Sequence, residues 1–140
     1  SIAAQLEKKN CALIGISVDS QFTHKAWVES KREDGGLGGA LNYPLLSDLQ
    51  GVASWNYGVS TEDGVALRGL FLIDPEGVVM HATINNLPVG RNASEAVRTL
   101  DAFQFVASND GQVCPANWSE GEDSMDANPD GMREYLTSHE

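Results

Sequence analysis

Two short apolar runs, with helical stretches between them, constrain the fold more than any other feature of the chain. Cys11–Val18 carries Leu13, Ile14, Ile16 and Val18, and Ala66–Ile73 carries Leu67, Leu70, Phe71, Leu72 and Ile73. Runs of this length read as strands buried on both faces. Asp74-Pro75-Glu76-Gly77 is a turn signal, so Val78–Ile84 returns as a hairpin partner. Ser1–Asn10 reads as the end of a helix, with Ile2 and Leu6 four apart and Lys8 and Lys9 in the last turn. Asp19 and Ser20 cap a helix predicted over Gln21–Arg32, with Phe22, Ala26 and Trp27 facing inward. Tyr43–Leu46 is a short extended piece and Leu49–Tyr57 a further helix. Asn92 with Glu95 three residues on resembles a capping box, opening a helix with Ala96, Val97, Leu100 and Phe103 on one side, to about Phe105. Strands alternating with helices, then a hairpin and a helix, predict an α/β fold with a mixed central sheet flanked by helices. The core is expected over 1–107 and an extended C-terminal arm over 108–140.

A chain of 140 residues suggests one domain, and 41% hydrophobic residues suffice for a core. The net charge of −11 argues against nucleic acid or an anionic membrane as partner, since both need a basic face. Residues 106–140 hold eight acidic residues against Arg133 alone, the mark of a solvated tail unless it docks. Pro129 and Gly131 precede a short predicted helix, Met132–Ser138. No apolar run approaches the ~18 residues of a membrane span. Two cysteines, at 11 and 114, make no disulfide framework, so a reducing, cytoplasmic setting is the default. With no initiating Met and a helical pattern already under way at Ser1, the chain is expected to be part of a longer protein.

Cys114 is the first candidate for chemistry. It precedes Pro115, which pushes it toward extended geometry and away from the thiolate-stabilising end of a helix. Its neighbours in sequence are Asp110, Glu120, Glu122 and Asp123, with no Lys or Arg until Arg133. Such a thiol is a poor first attacker but can close a disulfide onto a sulfur already oxidised. The competing reading is an ordinary half-buried surface cysteine. Arg68 interrupts the second apolar run, on the face shared by Leu70 and Leu72. It is either an anchor for a thiolate and an oxygen substrate or a strand-end arginine that snorkels or pairs with a carboxylate. Cys11 opens an apolar run and reads as a small core hydrophobe. His24, His81 and His139 have no ligand spacing with one another or with the cysteines. Gly35-Gly36-Leu37-Gly38-Gly39 reads as a mobile linker and Arg91 as a surface arginine. Tyr135-Leu136 is either a hydrophobic plug or a frayed end.

Five segments in order carry a resemblance: Val18-Asp19-Ser20-Gln21-Phe22-Thr23-His24-Lys25-Ala26-Trp27, Gly35-Gly36-Leu37-Gly38, Arg68-Gly69-Leu70-Phe71-Leu72-Ile73-Asp74, Leu87-Pro88-Val89-Gly90-Arg91 and Val113-Cys114-Pro115-Ala116-Asn117-Trp118. Together they resemble the typical 2-Cys peroxiredoxins, the group containing the bacterial alkyl hydroperoxide reductase peroxidase subunit. The resemblance implies a thioredoxin-like fold and a thiol peroxidase acting on hydrogen peroxide and organic hydroperoxides, with no metal or cofactor. It places Cys114 at the resolving position and Arg68 at the position of the arginine that stabilises the thiolate and polarises the peroxide. It further implies a homodimer joined through the edge strand Val78–Ile84, assembly into decameric rings, and thioredoxin or the alkyl hydroperoxide reductase flavoprotein as reductant. The alternative is a non-catalytic peroxiredoxin-like chaperone or binding module. A third option is a redox switch that uses Cys114 alone.

The family's peroxidatic pattern, Pro-x-x-x-Thr-x-x-Cys, does not occur in the sequence, and Cys11 has no such residues before it. The resemblance places that pattern upstream of Ser1, on a strand lying between Cys11–Val18 and Ala66–Ile73. Where the family's over-oxidation-prone members end in Tyr-Phe, this chain has Tyr135-Leu136, so intermediate sensitivity to excess peroxide is expected. Two strands without their shared neighbour leave backbone groups unpaired. The 140 residues alone are therefore expected to show neither a cooperative thermal melt nor peroxidase turnover, as calorimetry and a peroxide-consumption assay would establish.

Overall fold

The computed structural model describes residues 2–39 and 41–139, which divide into two compact units, one ending at Arg91 and the other starting at Asn92. The expectation that Ser1 continues a helix falls outside the described residues. In the first unit, α1 (Ile2–Lys8) buries Leu6 and ends on Asn10, whose φ of 55° is left-handed. Asn10 N donates to Glu7 O and Cys11 N to Leu6 O, a closing pair that satisfies the last carbonyls of the helix. Cys11 thus belongs to a helix terminus. The first apolar run forms a strand only at β1 (Gly15–Ser17), which pairs in parallel with β2 (Leu45–Ser47).

This strand is not buried on both faces as expected. Ile14 and Ile16 are about half exposed, as is Leu46, which lies beside Ile16 in the register. The reason is pairing: β1–β2 and β3–β4 are separate two-stranded sheets, and no described strand bridges them. Apolar runs that suit the middle of a wide sheet therefore stand with one neighbour each.

Ser20 caps α2 (Gln21–Glu29), its side chain accepting from Thr23 N. The expected inward face is reversed. Phe22 is 76% exposed, Trp27 and Ala26 are also exposed, and the buried residue is His24. His24 Nε2 meets Ser17 Oγ at 2.6 Å, which fixes the polar residue inward at the end of β1. After a 3-10 turn (Arg32–Asp34), the glycine loop folds back onto α2. Leu37 N donates to Trp27 O, Gly38 N to Ser30 O and Gly39 N to Val28 O. A Cβ on Gly36 would lie 2.2 Å from Ser30 O, so only glycine permits this approach. The loop is thus a C-terminal cap of α2, not the free linker expected from its composition.

Asp48 organises the next turn. It accepts from Ala53 N, from Ser54 N and from Ser54 Oγ at the start of α3 (Val52–Asn56). The chain then reaches the hairpin of β3 (Arg68–Ile73) and β4 (Val79–Asn85), antiparallel and shifted in register between Leu72 and Ile73. Asp74 closes its turn by accepting from Val78 N and Gly77 N, as the turn signal predicts. Tyr57 packs on Phe71 at 4.7 Å, with Val59 and Leu72 buried nearby in the same unit.

In the second unit, Asn92 caps α4 (Ala93–Ser108), with its side chain accepting from Ser94 N. The expected capping box does not form, because Glu95 turns toward Arg98 instead of back to Asn92. Ala96, Thr99 and Leu100 are the buried face. The arm forms a hairpin of β5 (Gln112–Val113) and β6 (Met125–Asp126), followed by α5 (Pro129–Ser138). Pro129 starts this helix; it does not stop one. Asn128 caps it through Gly131 N, and proline suits a first turn that needs no N–H.

The Asp48 carboxyl is held below its ordinary pKa, chiefly by the Ser54 amide, then by the Ser54 hydroxyl and the Ala53 amide. A carboxyl depressed in the folded state stabilises it above the unfolded value of about 3.9. That contribution is lost as pH falls through the lower folded value. Asp48→Ala should accelerate amide hydrogen exchange at Ala53 and Ser54, and acidification of the unmodified protein should do the same at those two amides.

Candidate functional site

The chemistry-bearing residues lie in both units, and each cluster is described within its own. In the first unit, Arg68 stands at the start of β3, exposed, with Nε donating to Leu87 O at 3.1 Å. Among the described residues no carboxylate pairs with it, and its exposed place at the strand end is that of a snorkelling arginine. A backbone carbonyl holds it, and that fixes the plane of the guanidinium. Gly69 follows because a Cβ there would lie 2.8 Å from the Phe71 ring and 3.1 Å from Val59 Cγ1. Arg91 also returns to this end of the hairpin, with Nη1 donating to Gly69 O at 2.9 Å. Sequence position made Arg91 an ordinary surface residue. The structure instead bonds its guanidinium to the residue after Arg68, while the Arg68 guanidinium bonds Leu87 O just past β4. Asn85 Nδ2 donates to Gly90 O and draws the intervening Leu87–Gly90 turn closed beside them.

In the second unit, Cys114 follows β5 and is half-buried, with Sγ directed to Ala102 O of α4 at 3.8 Å. Burial pushes its thiol pKa up, and the Arg98 guanidinium opposes that shift. Sequence separation hid this neighbour: Arg98 is on α4 and Cys114 on the arm. Arg98 forks onto Glu95, with Nε to Oε2 at 2.8 Å and Nη2 to Oε1 at 2.7 Å. Its third nitrogen, Nη1, donates to Trp118 O at 2.6 Å.

Trp118 is the most buried residue described, at 2% exposed. Asn117 takes a left-handed φ of 65°, which asparagine tolerates, and turns the chain so that the indole points inward. The ring packs on Phe105 of α4 at 5.0 Å, and its Nε1 donates to Glu122 O. Truncating a buried aromatic of this kind costs roughly 3–5 kcal/mol. A single hydrogen bond of the short β5–β6 ladder contributes only about 1 kcal/mol. The indole therefore contributes more to the hold on the arm than the β5–β6 ladder does, and the tail, expected to be solvated unless it docked, is docked around Cys114 and Trp118.

The other sequence candidates fall elsewhere. Cys11 is raised in pKa by burial at the end of α1. His81 meets Thr83 Oγ1, and His139 stacks on Tyr135 at 4.1 Å. No group of three metal-ligating side chains occurs among the described residues. Leu136 is 60% exposed and plugs nothing within its own unit. No described helix is long and apolar enough to cross a membrane.

These features define a thioredoxin-like α/β chain with a thiol on a docked C-terminal arm. Residues 1–82 match the AhpC/TSA family, and residues 102–138 match the C-terminal domain of 1-Cys peroxiredoxin. The chain is 51% identical over 138 residues to bovine peroxiredoxin-2, covering 98% of itself and 68% of that protein. It is 50% identical to the chloroplastic 2-Cys peroxiredoxin BAS1 of Arabidopsis thaliana, covering 96% of itself and 51% of that protein. It superposes on the reduced 2-Cys peroxiredoxin of Plasmodium vivax with a TM-score of 0.92 and 40% identity, over 96% of this chain and 68% of that one. The chain belongs to the peroxiredoxins of the AhpC/TSA family.

Because burial raises the Cys114 thiol, its thiolate accumulates only at alkaline pH. The rate of iodoacetamide alkylation at Cys114 should keep rising beyond the pH at which a free cysteine peptide levels off, as peptide mass spectrometry across a pH series would show.

Proposed function

We propose that this chain is the resolving half of a thiol-dependent peroxidase that reduces hydrogen peroxide and organic hydroperoxides. The observation that carries the proposal is the state of Cys114: weakly acidic, half-buried and seated on an arm whose hold rests on one indole and one guanidinium. A thiol raised in pKa is unsuited to the first attack. In the proposed cycle a peroxidatic thiolate outside these 140 residues attacks the peroxide oxygen. It becomes a sulfenic acid and releases the alcohol, or water in the case of hydrogen peroxide. The Cys114 sulfur then bonds to the sulfenic sulfur, and water leaves with the thiol proton. A dithiol of the thioredoxin class, or a flavoprotein reductase, reopens the disulfide by exchange.

Arg68 serves the first of these steps. Its Nε is committed to Leu87 O, so the other donors of its fork can be presented to the thiolate and the peroxide oxygens. The sulfenic sulfur comes from a partner subunit. The exposed strand β4, with Val79, Met80 and Ile84 partly uncovered, supplies the edge for that pairing. Assembly of dimers into rings, a cytoplasmic setting and intermediate over-oxidation sensitivity belong to the same proposal. Nothing among the described residues favours the non-catalytic chaperone reading over this one.

The test is the oxidised native protein on a non-reducing gel. A covalent dimer should form with Cys114 in the linking peptide, and Cys114→Ser should abolish it. Arg68→Met should slow the preceding peroxide step by roughly 10²-fold, the cost of removing one preorganised donor to a developing charge. Absence of a Cys114-linked dimer after a stoichiometric peroxide pulse would overturn the proposal.

A further inference from the structure

Arg98 takes no part in the peroxide chemistry proposed above, yet it is the most fully engaged cation of the second unit. Three of its nitrogens are bonded: two to the Glu95 carboxylate and one to the Trp118 carbonyl. The Glu95 fork restrains the guanidinium on α4, and Glu95 Oε1 also accepts from Thr99 Oγ1 at 3.2 Å. The third bond crosses to the arm, four residues beyond Cys114. Other holds on this stretch include the Trp118 indole against Phe105 and the weak contact of Cys114 Sγ with Ala102 O. A disulfide requires the Cys114 sulfur to leave Ala102 O and reach another sulfur at bonding distance. The arm must therefore come off α4 before the resolving step.

We propose that Arg98 is a positioning residue for Cys114: its clasp on the Trp118 carbonyl sets how often the arm leaves α4, and so limits how fast the resolving thiol is delivered. The inference rests on the resolving role proposed for Cys114. It is a role for hydrogen-bond geometry, and it opposes the electrostatic one. As a charge, Arg98 lowers the Cys114 thiol pKa and favours the thiolate. Removing it would make Cys114 less reactive if charge were its contribution. Removing it makes Cys114 more reactive if it acts as a clasp. The sign of the change decides between the two.

The measurement compares iodoacetamide alkylation of Cys114 and Cys11 in the native protein, unmodified and as Arg98→Met, at one pH. Cys11 lies in the other unit and reports any general loosening. Loss of one charge-assisted hydrogen bond should speed Cys114 alkylation by about tenfold or more, with Cys11 unchanged. A slower or unchanged Cys114 rate, or an equal rise at both thiols, would overturn the proposal. Should Arg98→Met fail to fold, Arg98→Lys carries the same comparison. Lysine keeps the charge but cannot fork onto Glu95 while clasping Trp118, so the same direction of change is expected. After a peroxide pulse, the Cys114-linked dimer should also form faster in the variant. If the unmodified protein forms no such dimer, the resolving role itself fails, whereas equal rates of dimer formation in protein and variant reject the clasp alone.

Discussion

The burial of one indole governs the second unit. Trp118 is nearly inaccessible, and the rest of the arm is strongly acidic, with few apolar groups to hold it. Without that ring on Phe105, the β5–β6 hairpin would be a two-residue ladder, too small to persist in water by itself. With it, the stretch around Cys114 and Trp118 is held against α4, and Cys114 is carried into a half-buried position where burial raises its thiol pKa. Burial of this thiol raises its pKa more than the Arg98 charge lowers it.

The first unit depends on a different constraint, the meeting of backbone carbonyls with guanidinium groups at one end of the β3–β4 hairpin. Leu87 O takes Arg68 and Gly69 O takes Arg91. Neither arginine is held by a carboxylate there, so neither is neutralised by its holder. Two cations kept in place by neutral acceptors retain their attraction for an anion. The bulky apolar residues of the β1–β2 pair are less well served. Ile14, Ile16 and Leu46 keep large exposed faces, because β1 and β3 each pair with one strand only.

Local chemistry made much of this legible. The Ser20 cap and the Asp74 turn are short-range patterns that form where the residues place them, while the α4 face keeps Ala96 and Leu100 but buries Thr99 in preference to Val97 and Phe103. The failures share one cause. The inward face of α2, the burial of the first strand and the state of the glycine loop all depend on which element lies opposite, and spacing along the chain does not contain that. Phe22 and Trp27 are apolar yet exposed, while His24 is polar yet buried against Ser17. Asn92 and Glu95 have the spacing of a reciprocal cap, but Arg98 one turn on competes for the carboxylate and wins with two bonds.

The sequence by itself determined the α/β class and the order of the main helices and strands, though not the β5–β6 hairpin. These follow from side-chain type and short-range periodicity, whereas the roles of Cys114 and Arg68 are implied only by the family resemblance. Only the tertiary structure decided that Cys114 has a cationic neighbour, that the acidic tail is docked, and that Arg68 and Arg91 are held by backbone carbonyls. Those facts join residues sixteen to twenty-two positions apart through turns whose angles no local pattern specifies. Contact across such distances is a property of the folded chain, since it is packing that brings the groups within reach.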